Sequence, residues 1–187
     1  PKSAGDVYYY PVKPGTREWA ALPDYKEKLA ACQVPEHILR KISTAGLIET
    51  VLDYPLFKEI WWTHDTIQQG FAHMFDRFNG VQELFKHNEA GELLLDKYRI
   101  MEPAGFKKDA AVDEQDRHVL RVQALEILLA QDAIRVNLTG AQSSELKQLA
   151  LTKYAIKKTM EEYGTIDREI YSLLINGAAS QNNSVRG

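Results

Sequence analysis

The sequence predicts an all-α protein: a compact multi-helical domain of about nine helices, partly an α-α stack of short helices, with two longer helices toward the C-terminus. Three observations carry this. Apolar residues recur at helical spacing, as in the stripe Ile67, Phe71, Phe75 and Phe78. Cap-forming residues and prolines stand at the starts of those runs, among them Asp24, Pro35, Ser43 and Pro55. No segment alternates apolar and polar residues, and no Asn-Gly pair sits between alternating runs as a hairpin needs.

Residues 1–15 carry three prolines and two glycines and no helical period, so they read as an extended arm laid on the domain. Trp19 and Leu22 are expected to anchor it, and Pro23-Asp24 to start the first helix, which runs to Val34 with Tyr25, Leu29 and Ala30. Pro35 starts the next, with Ile38, Leu39 and Ile42 inward, and Glu36 and Arg40-Lys41 placed to suit the helix dipole. Ser43 caps a helix carrying Leu47, Ile48, Val51 and Leu52, which Tyr54-Pro55 ends. Pro55 opens a helix with Leu56, Phe57, Ile60 and Trp61 on one face, and Asp65 is expected to cap the Ile67–Phe78 stripe, closed by Asn79-Gly80. Val81 to Phe85 makes a short helix, and Asn88 caps another through Leu93, Leu94 and Tyr98.

Glu102-Pro103-Ala104-Gly105 breaks the chain, and the loop to Val112 includes Phe106, Lys107 and Lys108. Asp113 to Asn137 is the strongest helix, with acids at its start and two apolar stripes: Leu120, Ala124, Ile127, Leu128 and Ile134 on one, and Val122, Leu125, Leu129, Ala133 and Val136 on the other. Such a helix is contacted on several sides, so it reads as the central strut. Ser143 or Ser144 then caps a helix to Tyr163, with Leu146, Leu149, Ala150, Ile156, Met160 and Tyr163 inward. Lys157/Glu161 and Lys158/Glu162 read as exposed i,i+4 pairs and Gly164 as the residue past its end. Ile166, Ile170, Leu173 and Leu174 make the last helix, closed by Asn176-Gly177. The organisation expected is therefore one domain over residues 1–187: arm 1–15, helical core 16–177, and a disordered tail 178–187.

A chain of 187 residues is long enough to fill one core. Its net charge of −3, from 23 basic and 26 acidic residues, gives no basic footprint for nucleic acid. No apolar run approaches the roughly 20 residues that span a bilayer. One cysteine, Cys32, excludes a disulfide within the chain and reads as a small packed hydrophobe. The sequence opens at Pro1 rather than Met, so a preceding piece is expected.

Residues 43–101 hold half of the chain's aromatic residues, so this stretch is expected to supply much of the folding energy. Its run of ETVLDYP, QQGF, FNGVQELF and AGELLLDKY resembles a pattern of uncharacterised helical domains of exported bacterial proteins. The resemblance implies an extracytoplasmic setting (secreted, periplasmic or lipid-anchored) and brings no catalytic residues with it.

Candidate chemistry is sparse. His64, His73 and Asp76 are the candidate metal ligands, His73 and Asp76 standing three apart on one helix. HExxH, CxxC and paired histidines at i,i+4 are all missing, so no metal and no cofactor is expected. Asp109, Asp113, Glu114 and Asp116 lack the glycine and glutamate spacing of a calcium loop. There is no GxSxG elbow, phosphate loop or dinucleotide glycine pattern. Trp61 and Trp62 diverge by about 100° around a helix, and Trp61 shares the inward stripe, so Trp62 is expected outside. Trp62, Trp19 and Tyr9 are the candidate ligand-binding residues. The function expected is a non-catalytic interaction or accessory domain that contacts a protein or glycan. The competing class is an enzyme or metal-dependent small-molecule binder built on His64, His73 and nearby carboxylates.

Overall fold

Side chains that accept the first free amides of a helix set five of the helix starts. Thr16, Asp24, Ser43, Thr66 and Thr139 each do so with a side-chain oxygen, and Thr139 completes a capping box with Gln142. The result, in the computed structural model, is an all-α chain of twelve helical segments with no strand among the described residues. These are residues 6–62, 64–107 and 109–177, without the side chain of Trp62. The expected tail, the first five residues of the arm and Lys108 lie outside them. No helix is long and apolar enough to cross a membrane among the described residues.

The chain divides into two compact units, residues 1–90 and 91–187. The first holds α1 (Arg17–Ala20), α2 (Tyr25–Ala31), α3 (Glu36–Leu39), α4 (Thr44–Leu52), α5 (Glu59–Trp62), α6 (Ile67–Phe75) and α7 (Asn79–Leu84). None is longer than nine residues, too short to be stable alone, and they bury their apolar sides against one another. Tyr54 stacks on Phe78 with ring centroids 3.8 Å apart, and Phe85 meets Phe71 and Phe75 at 5.8 and 5.3 Å. Gly70 lets α6 approach α5, since a Cβ there would lie 2.3 Å from the Ile60 carbonyl oxygen.

Asn79-Gly80 does not stop a helix, as the sequence suggested, but opens α7. The Asn79 carboxamide accepts from the Val34 amide at 3.0 Å and donates to its carbonyl at 2.8 Å, while the Asn79 amide donates to Gln33 at 3.1 Å. Those bonds tie the α2–α3 turn to the start of α7. Gly80 is needed because a Cβ would sit 2.4 Å from the Phe78 ring. α6 ends earlier than its stripe, at Phe75, and its cap is Thr66 rather than Asp65.

The second unit contains α8 (Ala90–Ile100), α9 (Val112–Ala130), α10 (Asp132–Arg135), α11 (Gly140–Lys157) and α12 (Ile166–Asn176). α9 is the strut expected: every residue from Val122 to Ala130 is buried, with α12 and α10 packed against it. It is shorter than its pattern. Gln131 is extended (φ −74°, ψ 136°) and folds its buried amide back onto the Ile127 carbonyl at 2.9 Å, so the chain turns into α10. Ala133 and Val136 consequently leave the stripe and are exposed.

α11 begins at Gly140 and ends at Lys157, well short of Tyr163, and Gly164 has no positive φ. Its buried stripe is Leu146, Ala150, Lys153 and Lys157, with Leu149, Ile156 and Met160 only half-buried. The exposed pairs expected for Lys157 and Lys158 therefore do not form. Lys157 is inside, and Lys158 lies over the Tyr154 ring.

Leu128→Ala is expected to cost about 2–5 kcal/mol, because the leucine is fully buried on α9. Lys158→Ala should stay within about 0.5 kcal/mol, its side chain being exposed. Urea unfolding of the two variants checks both, and equal losses would mean that α9 is not the core helix.

Candidate functional site

The arm is built by alternation. In extended backbone successive side chains point to opposite faces, so Tyr8 and Tyr10 turn inward and Tyr9 outward. Tyr8 and Tyr10 meet edge to face at 5.2 Å, and Tyr10 continues to Tyr54 at 6.2 Å. Burial pushes the Tyr10 phenol well up. Tyr9 is 74% exposed.

Four hydrogen bonds hold the arm on α4 and its cap residue. The Asp6 carboxylate accepts from the amide and the hydroxyl of Ser43, the cap residue of α4. Those bonds hold its carboxyl below the usual range. The Tyr8 amide donates to Thr50 Oγ1 at 3.0 Å, and the Tyr10 hydroxyl donates to the Thr50 carbonyl at 3.2 Å. Between arm and α3 an open groove of about 550 Å³ remains, with Tyr8, Tyr9 and Ile38 among its apolar lining and Asp6, His37 and Lys41 beside them. Of the three sequence candidates for ligand binding, Tyr9 lines this groove. Trp19 does not; it is half-buried in α1 beneath the Lys28 ammonium. The Trp62 side chain lies outside the described residues, and Trp61 is half-buried against Phe57 at 5.9 Å.

His64 and His73 do come together, their ring centroids 4.6 Å apart. They line a cleft with Tyr25, Glu59 and Arg77 that leaves about 10 Å³, room for one water. The Tyr25 hydroxyl donates to the Glu59 carboxylate, and burial with that bond pushes the phenol up. His73 is pulled down, first by burial and then by Arg77 and His64, so its neutral form is favoured. Asp76 is exposed at the end of α6 and is not part of the cleft. No group of three or more His, Cys, Asp or Glu is placed to hold one metal ion among the described residues. Cys32 is fully buried and its thiol is pushed up to about 12, chiefly by desolvation.

Sequence reasoning missed the buried polar network of the second unit. The Lys157 ammonium, 2% exposed, bonds the Glu126 carboxylate and reaches Asp167 Oδ1 at 3.0 Å. Tyr98 donates to Glu126 at 2.7 Å, Gln123 to Asp167 at 3.0 Å, and Lys157 lies 4.8 Å over the Tyr163 ring. One turn away, Lys153 donates to the Met101 carbonyl at 3.0 Å and to Glu102 at 3.1 Å, holding the end of α8. The signal was present: continuing the Leu146–Ala150 stripe at helical period lands on Lys153 and Lys157.

Lys157→Met should destabilise by about 3–5 kcal/mol, because it leaves Glu126 and Asp167 buried without their cation. Urea unfolding beside Lys158→Met reads this, and near-equal curves would refute a closed network. A second outcome concerns pH. With the folded His73 pKa below its ordinary 6.5, the unfolded chain takes up that proton first. Stability therefore falls as pH drops below 6.5 and levels off beneath the folded value. His73→Gln should make that fall shallower in urea midpoints between about pH 7.5 and 5, and unchanged slopes would contradict the shift.

No protein-family model matches the sequence, and neither a curated protein nor a solved structure matches it.

Proposed function

We propose that the protein is a non-catalytic interaction module that takes an extended segment of a partner protein along its N-terminal arm. The observation that carries the reading is the groove between arm and α3, with Tyr9 at its lip, 74% exposed. Tyrosine offers a large contact area at small cost in rotamer entropy. The arm is extended, and the backbone amide and carbonyl of Tyr9 have no hydrogen-bond partner among the described residues. An extended segment can pair there by main-chain bonds and place an apolar side chain against Tyr9 and Ile38. Lys41 on the other wall favours a carboxylate next to that residue, and the groove's own carboxylate, Asp6, is engaged by Ser43. The Lys41 ammonium favours a protein segment with an acidic side chain over a neutral glycan. The resemblance of residues 43–101 supports placing this module outside the cytoplasm of a bacterium.

Panning a random peptide library against the protein tests the reading. A consensus of an apolar residue flanked by Asp or Glu is expected, with binding weakened about tenfold by Tyr9→Ala and also by Lys41→Glu. The reading fails if no consensus emerges, or if enriched peptides bind both variants as well as the parent. Tyr9-dependent binding of glycans alone would replace the protein segment as occupant.

The 4.6 Å approach of His64 and His73 favours a second reading, a metal-dependent site in the cleft with Glu59, whose room for one water would hold an ion. Titration with zinc and copper salts tests it. Binding that His73→Gln abolishes would support it, and the absence of saturable binding would dismiss it.

A further inference from the structure

The turn between α11 and α12 encloses an open pocket of about 360 Å³, within the size range of small-molecule sites. Tyr154 and Tyr163 wall it, the Lys157–Asp167 pair forms its inner side, and Lys158 and Arg168 stand at its rim. The lining thus holds three cations against one carboxylate, in a chain whose net charge is −3. That carboxylate is already engaged, accepting from Lys157 and Gln123.

The rim cations are different. α11 ends at Lys157, so Lys158 cannot reach Glu162 by helical spacing and lies 5.4 Å over the Tyr154 ring instead. Neither Lys158 nor the Arg168 side chain has a carboxylate partner among the described residues. Glu161 and Glu162, in the same turn, do not line the pocket. Two exposed, unneutralised cations of different geometry thus stand beside a concave surface whose own acid is consumed. The Lys ammonium offers a point charge, and the Arg guanidinium a planar fork that matches two oxygens of a phosphate.

We propose that this pocket binds a small polyvalent oxyanion of the phosphate type, free or carried on a small organic molecule. Lys158 and Arg168 contact the oxygens, and the Thr165 hydroxyl, which caps no amide of α12, is a further donor at the same mouth. Lys157 does not need to leave Glu126 and Asp167, since the rim pair alone makes the contacts. The proposal is independent of the groove on the first unit.

Isothermal titration of inorganic pyrophosphate into the full chain, at an ionic strength fixed with sodium chloride, tests this. Saturable binding with Kd below about 1 mM is expected, weakened about tenfold or more in Lys158→Ala/Arg168→Ala. Both side chains are exposed, so the double variant should keep the parent's thermal midpoint, which is measured alongside. Amide resonances of Gly164 to Arg168 should shift with added pyrophosphate. Phenyl phosphate binding as tightly as inorganic phosphate would support the organic form of the ligand, and tighter binding of the inorganic ion the free form. No saturable binding, a smaller loss in the double variant, or shifts confined to another surface would each overturn the proposal.

Discussion

An ammonium group taken out of water needs its lost hydration replaced, and Lys157 finds the replacement on two other helices. Glu126 comes from α9 and Asp167 from α12, so one side chain of α11 fixes the relative position of three helices. Apolar packing alone would not do this. Burial of Leu146 and Ala150 is non-directional, whereas the charged bonds require a set geometry. Two buried carboxylates facing a single ammonium also explain the neutral donors around them. Tyr98 and Gln123 supply the hydrogen bonds that the second negative charge still requires. Geometry propagates outward from there: Lys153, one turn back, pins the end of α8, and Tyr163 donates to the Pro103 carbonyl at 3.0 Å. The break at Glu102-Pro103 is thus held by the helix that carries the buried charge.

Among its described residues the first unit solves a related problem without a buried charge. Its helices are short, so many helix-end amides and carbonyls need partners outside their own helix. Asn79 and Gln33 bridge the α2–α3 turn to α7, and Thr50 serves the arm with both its hydroxyl and its carbonyl. These neutral contacts sit at chain turns, where a helix end would otherwise fray. Tyr9 is exposed because its neighbours Tyr8 and Tyr10 are both committed to the inner face. Its exposure follows from the alternation of an anchored arm, not from a loose terminus.

What was legible in the sequence was whatever rests on local rules. Asp24 and Ser43 cap the helices they were expected to cap, and the strut character of α9 follows from apolar residues on nearly every side. His64 and His73 were grouped from the sequence and do meet at 4.6 Å, but Asp76, the third member of that set, stays outside their cleft. Asn79-Gly80 misled because its role is set by Val34, 45 residues away, and by the Phe78 ring. The bend at Gln131 carries no proline or glycine; a glutamine that satisfies the Ile127 carbonyl with its own side chain does the work of a breaker. Lys157 was read as a surface residue because lysine usually is one. Only its partners Glu126 and Asp167, 31 and 10 residues distant, make its burial affordable.

That misreading of Lys157 also bears on function. A lysine pair at the end of a helix, followed by Glu161 and Glu162, suggests a neutral, solvated surface. Ending α11 at Lys157 undoes the neutrality in two ways. It commits Lys157 to carboxylates from other helices, and it carries Lys158 out of register with the glutamate four residues on. The cation left over stands beside Arg168, which the start of α12 brings to the same mouth. Two exposed cations at one mouth of an acidic chain thus follow from where one helix stops, a feature set by tertiary partners and not by composition. Charge counted along the sequence and charge presented at a surface are different quantities, and in this protein the buried network is what separates them.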